Sequence, residues 1–256
     1  MKTTALSFIG GGRITRIILQ ALANKNRTFE KVLVYDIDTE VLEKLKKQFP
    51  SVQVVTLEEA ASQSMVFMAL HPPAIMEMLE KIETLVSDEA SVISLAPKIS
   101  IGKIQSKLKC KNIARMIPNA TSYINEGFNP IAFASGFDSS EKADLMGLLS
   151  NLGSVFEVKE NQLEAYALVS AMLPTYFWFQ WDEMLRLGSQ MGLTPHESSE
   201  ALVKTLEGSI NLMFQSELNY TELTDLIPVK PIGEHEAEIR EIYRAKLMGL
   251  FEKIRP

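Results

Sequence analysis

The sequence predicts an α/β fold in two parts: a doubly wound, parallel-stranded sheet over residues 1–159, followed by an all-helical part over residues 160–256. Three observations carry this prediction. Through the first half, short runs too uniformly apolar to keep a solvated face alternate with amphipathic helical stripes, the pattern of a parallel sheet covered on both sides. Beyond Asn161 the strand signal disappears and only helical periodicity continues. With 256 residues, 46% hydrophobic and 23% charged, the chain is long enough for two domains and too apolar for disorder.

The elements follow in order. Residues 5–9 form an apolar run ending in glycines, Ile14, Ile17, Ile18, Ala21 and Leu22 recur at helical spacing, and KVLVY at 31–35 is β-branched and aromatic. That is one strand–helix–strand unit. Val41, Leu42, Leu45 and Phe49 mark the next helix. Strand 52–55, short helix 57–63, strand 65–70, helix 73–86, strand 91–95 and strand 112–117 complete the parallel array. After residue 130 come strand 131–135, a helix stopping at Gly153, and strand 154–158. From Asn161 a long helix reaches about Met191, bent at Pro174 because the ring removes an intrahelical hydrogen bond. Its stretch 165–179 carries no charge yet is shorter than the ~20 residues a membrane span needs, so a protein-buried helix is expected. Thr194, Pro195 and Glu197 announce another helix through a capping box, and a last one spans 234–253.

Charge and composition exclude several functions. The net charge of −6 and a pI near 5.3, with no basic block beyond short runs such as 44–47, argue against a nucleic-acid partner. Cys110 is the single cysteine, so neither an intrachain disulfide nor a multi-cysteine metal site exists. His71, His196 and His235 are scattered, so no metal site is expected. The start, MKTTALSFIGGG, breaks into glycines too early for a signal-peptide core or a membrane span, and the expected location is cytoplasmic.

The chemistry concentrates at Gly10-Gly11-Gly12, which closes a predicted strand and opens a predicted helix, with Asp36 at the end of the next strand. Glycines there permit a tight turn and close backbone approach, so a pyrophosphate can rest on the helix N-terminus while the acid binds the adenosine ribose. This is the context of a Rossmann dinucleotide fingerprint. Thr15 stands at its third position, which widens the expected helix–strand contact. Asp36 repels a 2′-phosphate and Ile37 cannot pair with one, favouring NAD(H); Arg13, a guanidinium beside the turn, is the argument for NADP(H).

Five segments, the glycine turn among them, carry a resemblance to pyrroline-5-carboxylate reductases across nearly the whole chain. SFIGGGRI, which includes Ile14, resembles that family's FIGxGNM, and MALHPPAI resembles LAVKPQ with His71 in place of lysine. SLAPKIS is similar to SIAAGIS, RMIPNATSYINEG to RVMPNTPALVGEG, and LVSAMLPTY to ALSGSGPAY. The resemblance implies the two-part fold, a homodimer or larger homo-oligomer through the C-terminal helices, and NAD(P)H-dependent reduction of a cyclic imine in proline biosynthesis. It also implies that Ala69, Leu70, His71 and Pro72 line the cofactor groove, that Pro118 and Asn119 lie beside the nicotinamide, and that Ser170 and Tyr176 fall at pocket positions.

The chain departs from the pattern where the family builds its substrate pocket. Ala171, Met172 and Leu173 replace small residues, and IPVKPIGEH at 227–235 lacks the hydroxyls of the family's TSPGGTT. An apolar wall cannot supply the preorganised donors a carboxylate needs, so a changed substrate preference is expected. Lys230 or His235 near that segment can supply charge or a proton. Asn119 is also singled out without the resemblance, since it follows a strand at the carboxyl edge where doubly wound sheets bind ligands. The favoured reading is an NAD(P)H-dependent reductase of a cyclic imine or related small C=N or C=O substrate, with Ser170, Tyr176 and His235 as catalytic candidates. The rivals are a nucleotide-binding paralogue without turnover and an F420-dependent reductase of similar fold.

Overall fold

The computed structural model describes residues 5–256, so the first four residues of the N-terminal stretch lie outside the described ones. In order, the elements are β1 (Ala5–Ile9), α1 (Arg13–Asn24), β2 (Lys31–Tyr35), α2 (Thr39–Gln48), β3 (Val52–Val54), α3 (Leu57–Ala61), β4 (Met65–Met68), α4 (Pro72–Ile82), β5 (Ser91–Ser94), α5 (Ile101–Gln105), β6 (Asn112–Met116), β7 (Gly127–Phe133), α6 (Ser139–Leu149), β8 (Gly153–Glu157), α7 (Leu163–Tyr166), α8 (Pro174–Gln190), α9 (Pro195–Gln215), α10 (Tyr220–Asp225) and α11 (Glu236–Ile254).

The eight strands form one sheet in the order β3-β2-β1-β4-β5-β6-β7-β8. The first six are mutually parallel, β7 runs antiparallel to β6, and β8 is parallel to β7. The expected all-parallel array is therefore corrected at β7. Only a short 3-10 helix at Ala120–Ile124 separates β6 from β7, too little chain for the crossover that a parallel neighbour requires. Each face carries its own apolar core. Phe8, Val34 and Phe67 pack with residues of α1, α2 and α6 on one side; Ile9, Val66 and Val92 pack with α3, α4 and α5 on the other. Strands buried on both faces are why β4 reads MVFM with no alternation.

The chain divides into two compact units, one reaching Met172 and regaining Phe251–Pro256, the other spanning Leu173–Leu250. The strand signal ends near residue 159, but the following turns still pack on the sheet. Leu163, Ala167 and Leu168 are buried, and Glu164, buried too, pairs with Arg115 of β6.

The single long helix expected from Asn161 is corrected as well. The segment runs as α7, then a π-helical turn at Ala167–Ala171, and α8 begins anew with Pro174 at its first position. Proline has no N–H to continue a helix and is preorganised to start one, so the chain breaks where only a bend is expected. Nor is 165–179 buried throughout in the single chain: Ala167 and Leu168 are, but Val169, Trp178 and Phe179 are exposed. The capping box of Thr194 and Glu197 forms as expected, the Glu197 amide donating to Thr194 Oγ1 at 3.2 Å and the Thr194 amide to Glu197 Oε2 at 2.8 Å. Sequence periodicity misses α5, α10 and the turn at 120–124, all too short for a stripe to repeat.

Candidate dinucleotide site

The strand order reverses between β1 and β4, and the carboxyl ends of those strands, with β2, frame the glycine turn. Gly10 donates its amide to Tyr35 O at 2.7 Å, and Ala69 donates to Ile9 O at 2.8 Å, stitching the turn to both neighbours. At φ +107°, Gly10 holds a backbone that L-residues rarely adopt, and a Cβ there would lie 2.4 Å from Ala69 O. Gly11 backs onto Val34 and Leu42. Gly12 differs, because a Cβ on it meets nothing within 4 Å and points into open space. Thr15 fills the third fingerprint position fully buried, its hydroxyl donating to Gly10 O, which satisfies the polar atom the substitution brings.

Asp36 sits where the sequence places it. Its Oδ2 accepts the Gly11 amide at 2.7 Å and its Oδ1 the Asp38 amide at 2.9 Å, so the carboxylate fixes the turn through the backbone. No side chain caps α1 at Gly12 or α4 at His71. The N-terminus of α1, with unsatisfied first-turn N–H groups and a positive dipole end, therefore opens at this edge, whereas α4 begins with Pro72 and Pro73, which carry no N–H, and its Ala74 amide donates to His71 O at 3.0 Å. A cavity of about 350 Å³ lies alongside, bringing Gly11, Gly12 and Arg13 together with His71. It also recruits Arg16, Lys44 and Gln48, which the sequence reading passes over. Arg13 and Arg16 one helical turn apart, without an acid in that turn, are the signal that could have found them.

Further along the edge, Asn119 is buried after β6 and caps the 3-10 turn, accepting the Thr121 amide at 3.0 Å, while its own amide donates to Asn129 Oδ1 at 2.9 Å. Its Nδ2 donates to Ser170 Oγ at 3.4 Å, so these two expected site residues meet. Beneath that edge, Arg115 of β6, 1% exposed, donates to Glu160 at 2.9 Å and to Glu164. Those carboxylates in turn accept the amides of Ile101 at 2.6 Å and Lys98 at 3.3 Å, fastening the loop after β5. Lys98 is held there at φ +75°.

The other catalytic candidates belong to the helical unit. Tyr176 stacks edge-on against Tyr243 with ring centroids 5.9 Å apart, and burial raises its phenol pKa, with Tyr243 adding a smaller push the same way. His235 is exposed, with Glu234 at 3.5 Å and Glu238 at 3.8 Å. Lys230 lines an open groove with Tyr220 and Arg240. No group of three metal-ligating side chains occurs among the described residues.

An NADP oxidoreductase coenzyme F420-dependent family profile matches residues 5–98, the part that holds the glycine turn and Asp36. Pyrroline-5-carboxylate reductase of Corynebacterium melassecola is 25% identical over 253 residues, covering 97% of this chain and 93% of that protein. The enzyme of the same name from Staphylococcus saprophyticus is 24% identical, covering 96% and 92%. Along nearly its whole length the chain is similar to these pyrroline-5-carboxylate reductases. Solved structures agree on the fold: a Plasmodium falciparum pyrroline carboxylate reductase with NADP bound superposes with a TM-score of 0.78 at 20% identity, covering 99% of this chain and 96% of that one. A Coxiella burnetii pyrroline-5-carboxylate reductase gives 0.70 at 23% identity, covering 99% and 95%.

Proposed function

We propose that this chain is an NAD(P)H-dependent oxidoreductase that reduces a small cyclic imine, or a related C=N or C=O compound. The carrying observation is the glycine turn at the strand-order reversal, tied to Asp36 and open at Gly12, beside the uncapped N-terminus of α1. Gly10, Gly11, Gly12, Arg13, Ile14 and Asp36 would hold the adenosine diphosphate half. Ala69, Leu70, His71, Pro72, Pro118 and Asn119 would line the groove toward the nicotinamide. When bound, the cofactor supplies the hydride. The protein's own work is to position the acceptor and exclude water. A cyclic imine is readily protonated, so no strong protein acid is needed; Ser170, joined to Asn119, would orient the acceptor, with Tyr176 and His235 as further proton-donor candidates. The altered segments at 171–173 and 227–235 support a substrate other than, or wider than, pyrroline-5-carboxylate.

The helical unit supports assembly as a homodimer or larger homo-oligomer. No apolar side chain of Leu173–Leu250 is fully buried, while Phe179 is 67% and Phe214 74% exposed. A helical domain without a dry core is stabilised by burial against a second copy. No described helix is long and apolar enough to cross a membrane, and a lone, buried cysteine suits the reducing cytoplasm.

The test is NAD(P)H oxidation with pyrroline-5-carboxylate and a panel of cyclic imines, beside calorimetric dinucleotide binding by wild type and Gly12→Val. Valine would project into the open space at Gly12, so binding should vanish while the far-UV spectrum is retained. Unchanged affinity in the folded variant would remove the site. Tight binding without turnover of any imine would favour the non-catalytic paralogue, and sedimentation of wild type near 28.6 kDa would remove the oligomer.

A further inference from the structure

The ladder between β6 and β7 is opened at Asn119. Its antiparallel register pairs Arg115 with Ala132 and Met116 with Ile131, and bonds run from Ala134 N to Ile113 O at 2.8 Å and from Ile117 N to Pro130 O at 3.1 Å. Hydrogen-bonded pairs alternate along such a ladder, so the next bond in register would run from Asn119 N to Phe128 O. Both groups are diverted. The Asn119 amide donates to the side chain of Asn129, at 2.9 Å from its Oδ1, and Phe128 O accepts the Ser170 hydroxyl at 3.4 Å.

Asn129 is a costly residue for its place. It is fully buried in a strand with neighbours on both sides, where asparagine is disfavoured and an unpaired carboxamide would destabilise the sheet. Its Oδ1 also accepts the Ser122 hydroxyl at 3.2 Å and its Nδ2 donates to Ser154 O at 3.4 Å, so both ends are used. The fold alone does not call for this, since a regular rung would satisfy Asn119 N and Phe128 O by themselves. What the diversion changes lies at Asn119 and Ser170. The Asn119 Oδ1 accepts the Thr121 amide at 3.0 Å and the Thr121 hydroxyl at 2.9 Å, which turns Nδ2 toward Ser170. That last contact, at 3.4 Å, is longer than a full hydrogen bond, and a carboxamide nitrogen carries two hydrogens, so Nδ2 keeps donor capacity.

We propose that Asn129 is a positioning residue for the nicotinamide end of the site: by taking the Asn119 amide it keeps this rung open, leaving Phe128 O for the Ser170 hydroxyl and the Asn119 Nδ2 for a bound group. The proposal rests on the dinucleotide reading, in which Asn119 lies beside the nicotinamide. With an apolar side chain at 129, Asn119 N and Phe128 O should regain each other and close the ladder. The sheet then keeps its bond while Ser170 loses its acceptor.

Titration with NADPH and NADH, followed by calorimetry and by nicotinamide emission, tests this in wild type, Asn129→Ala, Asn119→Ala, the double variant and Ser122→Ala. A reduced nicotinamide held in a dry groove gains emission over the free cofactor. Asn129→Ala and Asn119→Ala should each lose most of that gain, and the double variant should lose no more than either. Ser122→Ala removes another bond to the same Oδ1 and should keep the gain. Asn129→Leu, closer in volume, takes the place of the alanine variant if the cavity unfolds the chain. Emission equal to wild type in Asn129→Ala or Asn119→Ala, an additive loss in the double variant, or a loss in Ser122→Ala as large as in Asn129→Ala overturns the positioning role and leaves the dinucleotide reading standing. Calorimetric binding by wild type without a gain in emission does the same. Binding of neither dinucleotide overturns both.

Discussion

Replacing Glu164 by glutamine should cost the sheet unit about 3 kcal/mol, because it strips the charge from a buried pair while keeping the shape. Arg115 and Glu164 are each 1% exposed, and the second carboxylate, Glu160, is 32% exposed and so only partly shielded from water. At an effective dielectric of 20, two unit charges ~4 Å apart attract by about 4 kcal/mol, and breaking a buried pair by removing one partner costs about 3–5 kcal/mol because the other charge is stranded. Glu160 remains on the guanidinium, which places the expected loss near the lower end. Glutamine still accepts the Lys98 amide, so the loop is not released outright. Trp178 and Trp181 belong to the other unit, so tryptophan fluorescence is the wrong probe. Native-state hydrogen exchange at the amides of β5 and β6 reads the right one. The exposed pair Glu77–Lys81 is the control, and Glu77→Gln should leave exchange unchanged. A Glu164→Gln variant whose β6 amides exchange within about 1 kcal/mol of wild type would refute the view that the buried charge, rather than packing, holds this edge.

The remaining predictions are smaller. Lys98→Gly should stabilise the chain by about 0.5 kcal/mol in urea denaturation, since relief of a left-handed backbone, about 1–2 kcal/mol, exceeds glycine's entropic cost of about 0.5–1 kcal/mol; a clear loss of stability would mean the lysine stem is packing. Thr194→Val should destabilise α9 by about 1 kcal/mol and also weaken its acid sensitivity. The Thr194 backbone and hydroxyl hold the Glu197 carboxyl below its ordinary 4.5, so this part of the stability is present above that pH and is lost as pH falls through the lowered value; an unchanged acid limb in circular dichroism would sink the assignment. Burial pushes the Cys110 thiol up to about 11, so iodoacetamide at pH 8 should label it only in denaturant, and rapid labelling of the native chain, seen by mass spectrometry, would contradict its placement.

How much of this was legible beforehand depends on the range of the interactions involved. The β1–α1–β2 unit, the succession of strands along the chain through β6 and the start of α9 are local: runs of Val, Ile and Phe, a glycine turn, and a Thr-x-x-Glu box act within a few residues of themselves. The direction of β7 is not local. The run Ile131–Ser135 looks the same in either direction, and only the shortness of the connection from Met116 decides it. The break before α8 was readable in part. Pro174 marks a bend, but whether the helix resumes in line or starts afresh depends on how the π turn at Ala167–Ala171 seats Ala167 and Leu168 against the sheet. The resemblance to SIAAGIS hinted at the conformation of Lys98, since it stands where that motif has glycine. What pins the lysine there is Glu164, 66 residues away, and no local pattern announces it.

The site divides along the same line. Glycine spacing and Asp36 are legible because close backbone approach and the end of β2 leave a signature in residue type. Arg16 and Lys44 leave none individually, as arginine and lysine on helix surfaces are common. They become informative only against a local rule. Folding by itself selects acids for the first turn of α1, yet the chain places Arg13 and Arg16 there and faces them with Lys44 across the cavity. Side chains that oppose local preference with no compensating contact in the folded chain point to a compensating group outside it. Asp36 shows the converse. It looks like a free ligand-binding acid in the sequence, but its oxygens already accept the two amides that shape the turn. Asp36 is therefore spent on shaping the turn.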